Sequence, residues 1–198
     1  MKNALMFICI IGCIAIGSIQ AQRVVWQDDF ETSKGWSEYE DESGSASVKD
    51  GVLTIKSKEG LIFRSKCKTN LDGNKNFTIN LDVNIKSGLK PERYVGLLFD
   101  YDDNKNYKAF FVEKGFVWFE QYKEGTLIRQ EKELLKNRSK NDSKQLTFEL
   151  QRKGQSALFL VNDEETIDMD GVEVHSNRIA VMVSGDQTVS FDNVKISQ

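Results

Sequence analysis

The last third of the chain alternates. Leu146, Phe148 and Leu150 interleave with Thr147, Glu149 and Gln151, and a period of two puts the first set on one face of a strand and the second on the other. Arg152-Lys153-Gly154 supplies a tight turn, and Ser156 to Val161 returns as a second strand. Arg178 to Ser184 and Thr188 to Ile196 repeat the plan across Gly185-Asp186. Between Asn76 and Lys86 the alternation is cleanest: Phe77, Ile79, Leu81, Val83 and Ile85 face one way, and Thr78, Asn80, Asp82, Asn84 and Lys86 the other. Arg93 to Tyr101 is more apolar and therefore more central. Tyr107 to Glu133 reads as a meander turning at Lys114-Gly115 and Glu124-Gly125. Further strands are expected at Val24–Phe30, Trp36–Tyr39, Ser47–Ser57 around the Asp50-Gly51 turn, and Gly60–Lys68. A helix is expected nowhere except at Glu131–Asn137. One proline and 14 glycines punctuate the chain, the glycines mostly between apolar runs. Roughly a dozen strands at 8–12-residue spacing predict an all-β sandwich or barrel.

The N-terminus sets what counts as the folded protein. Lys2, an apolar run to Ile19 and then Gln20-Ala21-Gln22 form a secretory leader, with cleavage expected after Ala21. The run is shorter than the roughly 20 residues of a spanning helix. The expected organisation is therefore a signal peptide at 1–21 and a single domain at 22–198. The protein is expected to be exported to a periplasmic, cell-surface or extracellular location, without membrane insertion after cleavage. Of three cysteines only Cys67 lies beyond the leader, so no internal disulfide is available and the core must hold the fold. Cys67 is in phase with Phe63 and Ser65, as a buried and inert thiol would be. The chain carries 27 Lys and Arg against 30 Asp and Glu, interspersed, which argues against nucleic acid as a partner. The cluster Lys136, Arg138, Lys140 and Lys144 reads as a solvated loop.

Catalytic constellations are missing. His175 is the one histidine and has no nucleophile elbow to serve, no Cys/His set can hold zinc, and no glycine-rich phosphate loop precedes a helix. Several stretches, in order, do carry a likeness. These are Asp28-Asp29-Phe30 with Trp36, VKDGVLTIKS, GLLFDYDDNKNYKAFFVEKG, LTFELQRKGQSALFLVNDEETI and the closing VSFDNVKI. In this order the chain resembles the concanavalin A-like lectin/glucanase superfamily, in its laminin-G-like and glycoside hydrolase family 16-like sense. The resemblance implies a two-sheet antiparallel jelly-roll β-sandwich, one sheet concave and carrying the ligand. The family 16 glucanases carry Glu-x-Asp-x-x-Glu on one strand, so that acid and nucleophile face one glycosidic bond. That pattern is absent. The nearest pairs are Glu113 with Glu120, Asp100 with Asp102 and Asp168 with Asp170, the last two in turns.

Two features remain as candidates for function. The resemblance implies a structural calcium ion tying the first strand to the last, with Asp192 as its carboxylate. Asp29 and Gly51 are the candidate backbone partners. Val189 and Phe191 share one face while Val194 and Ile196 fall on the other, which independently predicts a bulge at Asp192-Asn193. Such a bulge aims a carboxylate at a hard cation, or is held by an Asp–backbone hydrogen bond with no metal; the latter is slightly favoured. The second feature is aromatic. Trp118, Glu120 and Tyr122 share a face, with Tyr107 on the preceding strand, as a sugar platform would need. Both faces of that strand are apolar near Trp118, which favours the core for it. The expected function is a secreted, non-catalytic carbohydrate-binding or cell-envelope interaction module whose partner is a glycan. One alternative is a glycoside hydrolase or lyase built on Tyr94, Tyr107, Glu113 and Glu120. The other is a structural domain that binds a protein partner through the same face.

Overall fold

The computed structural model describes residues 22–32, 34–58, 61–86, 90–135 and 144–198, and every regular element among them is a β-strand. The expected leader, and the loop residues Lys136, Arg138 and Lys140, lie outside the described residues.

Two antiparallel sheets pack face to face. One is ordered β13 (Glu164–Met169), β12 (Ser156–Val161), β11 (Gln145–Lys153), β6 (Phe77–Ile85), β15 (Gln187–Ser197), β4 (Val52–Ser57), β3 (Gly44–Lys49) and β2 (Tyr39–Asp41). A ninth strand, β1 (Val24–Asp28), also pairs with β15. The other is ordered β10 (Thr126–Leu134), β9 (Phe116–Lys123), β8 (Asn106–Glu113), β7 (Tyr94–Asp103), β14 (Arg178–Ser184) and β5 (Ile62–Lys68). The core lies between them. Phe110 of the six-stranded sheet stacks on Phe159 of the nine-stranded sheet at 4.7 Å, with Phe99 and Phe148 adjoining. Each fully buried aromatic contributes about 1.5–3 kcal/mol relative to exposure.

The expected bulge is present. β15 pairs with β4 up to Phe191 and with β1 from Val194, and its ladder to β6 slips between Asp192 and Lys195. Asn193 takes φ 51°, which restores the phase, so Val189, Phe191, Val194 and Ile196 are all buried. The Asp-Asp-Phe…Trp stretch has a structural role. The Asp28 carboxylate accepts the Phe30 backbone N–H at 2.9 Å and the Trp36 indole N–H at 3.1 Å, and the two rings pack 5.6 Å apart.

Two local expectations are corrected. Trp36 is not in a strand; it plugs the core from a loop, and β2 starts only at Tyr39. Glu131 to Leu134 is not helical; it continues β10 against β9, pairing Glu131 with Phe119 and Leu134 with Phe116. The edge of β9 offers this segment a complete set of cross-strand hydrogen-bond partners, which overrides its helix propensity. Cys67 is 2% exposed, and burial pushes its thiol up to about 11, as an inert thiol should be.

Candidate functional site

The six-stranded sheet turns a second apolar cluster away from the core. Register arranges it in rows across the outer face. One row runs Lys132, Trp118, Phe111, Gly96, Met182, Arg64, and the next Gln130, Glu120, Ala109, Leu98, Ala180, Lys66. Beyond them Tyr122 faces Tyr107, and on the opposite side Tyr94 faces Glu113. Small residues form the floor. A Cβ on Gly96 would lie 2.6 Å from Cβ of Phe111 and 2.7 Å from the Phe110 carbonyl oxygen, so the glycine lets the Phe111 side chain approach the sheet.

All four residues named as a sugar platform meet on this face. Tyr107 and Tyr122 stack at 4.9 Å. Glu120 accepts a hydrogen bond from Gln130 at 2.8 Å. Burial, then the charge of Glu120, pushes the Tyr122 hydroxyl up to about 12, so it remains a hydrogen-bond donor. The core position favoured for Trp118 is overturned. Val117 and Phe119 are the fully buried residues of β9, while Trp118 stands half-buried on the outer side. It lies parallel to Phe111 at 6.0 Å, and the Lys132 ammonium sits 4.2 Å from its ring. Its indole N–H is shielded from solvent and has no partner. Tyr94 tilts against Phe111 at 5.0 Å; burial raises its hydroxyl, opposed by Ser184 and then by Arg64.

The carboxylates on this face do not form a hydrolytic pair. Glu120 is level with Ala109, four residues along β8 from Glu113, or about 13 Å at the rise of an antiparallel strand. Glycosidase carboxylates stand about 5–10 Å apart. Glu113 is also engaged at its own end, accepting the Glu92 N–H at 3.1 Å. Asp100 is structural: its side chain pairs with buried Lys108 and accepts the N–H groups of His175 and Ser176, each at 2.7 Å. Burial alone would raise its carboxyl, but Lys108 and these N–H groups outweigh that and hold it below the usual aspartate value. The expected turns are corrected: Asp100 and Asp102 lie in β7 and Asp168 in β13, and Asp170, just past that strand, accepts the Ser156 hydroxyl at 2.6 Å.

The proposed metal residues gather at one corner of the nine-stranded sheet. Gly51 takes φ +72°, and a Cβ there would meet a Glu31 carboxylate oxygen at 3.1 Å and the Asp29 carbonyl oxygen at 3.9 Å. Register brings the bulge at Asp192 to the same corner, between β4 and β1. The donor set is all oxygen, which suits a hard cation, and Glu31 is an addition the sequence reading missed. Asp192 also accepts the Asn193 N–H at 2.6 Å, and Asn193 donates to Asp82 at 2.8 Å. Among the described residues no three Asp, Glu, His or Cys side chains converge, so any cation here would depend on backbone carbonyls.

No protein-family model matches the chain, and no curated protein matches it in sequence. Solved structures do match in shape. The carbohydrate-binding module CBM66 from Bacillus subtilis aligns with TM-score 0.59 at 20% identity, over 83% of this chain and 96% of that one. The carbohydrate recognition domain of Emp47p aligns at 0.65 and 14% identity, over 89% and 96%. A Bacillus licheniformis β-glucanase aligns at 0.61 and 8% identity, over 87% and 97%. Likeness at these identities is one of fold, and it agrees with the two antiparallel sheets: the chain has the concanavalin A-like jelly-roll fold.

Proposed function

We propose that this protein is an exported, non-catalytic carbohydrate-binding module whose glycan lies on the outer face of the six-stranded sheet. The observation that carries the reading is the convergence of Trp118, Tyr107, Tyr122 and Glu120 on one face turned away from the core. Sugar rings stack their C–H faces on aromatics, and fixed polar groups select their hydroxyls. Names such as carbohydrate-binding module and carbohydrate recognition domain among structures of the same shape support this reading. A hydrolase or lyase reading draws on Tyr94, whose hydroxyl senses both Glu113 and Glu120. The distance between the rows of those two acids weighs against it.

The test is thermal unfolding of the purified protein against a panel of soluble polysaccharides, with reducing ends assayed in parallel. A ligand that binds only the native state raises the midpoint. The expected result is a rise with at least one glycan, lost in Trp118→Ala, with no reducing ends released. Released sugar supports the enzyme, and silence across the panel leaves a protein partner on the same face. We propose in addition that one calcium ion bridges Asp29, Gly51 and Asp192. Its signature is a calcium-dependent rise in midpoint that chelator reverses and Asp192→Ala abolishes; an unchanged midpoint removes the metal.

A further inference from the structure

The outer face is not uniform in charge. Along β5, Arg64, Lys66 and Lys68 point outward while Phe63, Ser65 and Cys67 are buried beneath them. Successive outward positions on a strand are roughly 7 Å apart. Lys68 is level with Arg178 of β14, which extends the row to four cations. Among the described residues, no carboxylate lies within 4.0 Å of any of them; the ion pairs there are Lys75–Asp72, Arg93–Asp186, Lys108–Asp100 and His175–Glu173. The chain as a whole is acidic, at net charge −3, so a row of unpaired cations is not what composition alone would place there.

Arg64 is the most confined of the four. It is half-buried, its guanidinium lies 5.3 Å from the centre of the Tyr107 ring, and it donates to the Tyr107 hydroxyl at 3.3 Å. Its Nε is shielded from solvent and has no partner. A partly desolvated guanidinium without a counter-charge retains most of its capacity for a bidentate anion. Space for one is present. A cleft of about 380 Å³ opens between Tyr39, Arg64, Lys66, Tyr101 and Asn104, a volume within the range of small-ligand sites. Asp41 at its rim is already engaged by the hydroxyl and N–H of Ser43. At the other end of the row, Lys68 and Arg178 line a second cleft of about 610 Å³ together with Asp72 and Asp102; there Asp72 is engaged by Lys75 and the Asn74 N–H, and the Arg178 guanidinium donates to the Asp102 carbonyl at 3.3 Å. The cations therefore join two clefts along one edge of the aromatic face.

We infer that the glycan bound by this face is anionic, and that its carboxylate or sulfate groups lie on Arg64, Lys66 and Lys68 of β5 and on Arg178 at the start of β14. The inference rests on the carbohydrate-binding reading and narrows its ligand class. A polyuronate suits the row because it carries one anionic group per ring on a stiff chain. Glu120 and Glu113 lie away from this row and can accept sugar hydroxyls, while their charge leaves the anionic groups of the chain to the β5 margin.

The experiment is a binding titration of the purified protein with polygalacturonate, sulfated dextran, a neutral β-glucan and a single-stranded DNA oligonucleotide at two salt concentrations. Wild type should bind polygalacturonate, more weakly at high salt. Lys66→Gln with Lys68→Gln, both exposed positions, should weaken it about tenfold while leaving folding intact, as expected where charge-assisted contacts are lost. Arg64→Met should weaken it further and Arg64→Lys should recover only part, because the fork is lost with the charge kept. Binding of sulfated dextran alone supports the anionic class and makes sulfate its source. A protein that binds the neutral glucan but neither polyanion overturns the inference and leaves the carbohydrate reading standing. Binding of no glycan overturns both, and oligonucleotide bound more tightly than any glycan overturns the choice of partner.

Discussion

The two sheets share a core but present opposite outer faces. On the nine-stranded sheet the outward rows read Thr147, Asp82, Asp192 and then Glu149, Asn80, Lys195, polar over its three central strands. On the six-stranded sheet they read Trp118, Phe111, Gly96, Met182, with cations at the margins. Both sheets obey the same period of two. The difference lies in what occupies the outward phase. Polar residues facing water need nothing further. Aromatics in that position must shield one another, and here Tyr101, Tyr107 and Phe111 are buried on a face that has no sheet covering it. A surface that spends large side chains this way is where a ligand is to be sought.

The largest effect expected on this contrast comes from charge. The six-stranded sheet buries an ion pair, with Lys108 and Asp100 side chains 8% and 10% exposed. Asp100→Ala leaves Lys108 uncompensated and should cost about 3–5 kcal/mol in urea unfolding. The pH dependence follows from the depressed carboxyl of Asp100. Its stabilisation is complete above the ordinary aspartate value, about 4, and is lost as pH falls through the lower folded value. Stability should therefore drop in acid, and Asp100→Asn should flatten that part of the profile; parallel profiles would assign the drop to other groups.

Next is Phe111→Ala. If the outer cluster behaves as a second core, the loss should be about 3 kcal/mol, like that of a buried phenylalanine. A loss below about 0.5 kcal/mol, the surface norm, would erase the distinction between the two faces. Gly96→Ala should cost about 1–3 kcal/mol through overpacking against Phe111, and it should also disturb the face where binding is proposed. The smallest effect belongs to the other sheet. Thr147→Ala, exposed on β11, should change unfolding by no more than about 0.5 kcal/mol and leave glycan binding unaltered.

Much of the fold was legible in the residues because alternation is a local signal. The strands Phe77–Ile85, Gln145–Lys153, Ser156–Val161, Arg178–Ser184 and Gln187–Ser197 follow from it, as does the slip at Asp192-Asn193, where two apolar pairs fall out of phase; β13, Glu164–Met169, does not. Local signals failed where a neighbour decided. Glu131 to Leu134 is a strand because β9 lends it an edge, and Trp36 fills the core from a loop because Asp28 holds its indole. The cations of β5 stand in plain view as Arg64-x-Lys66-x-Lys68. Their meaning depended on Arg178, more than a hundred residues later, lying beside Lys68, and on no described carboxylate forming an ion pair with them.

The sequence by itself determined that the chain is all-β, where most strands run, and which residues share a face, because side-chain direction in a strand depends only on parity. Only the tertiary structure decided which of those faces looks inward. It put Trp118 outside and Phe119 inside, gathered Tyr107, Tyr122 and Glu120 beside it, and set a row of unpaired cations along their margin. Parity is blind to that choice, because the inward side is set by which sheet each strand joins and by what packs against it.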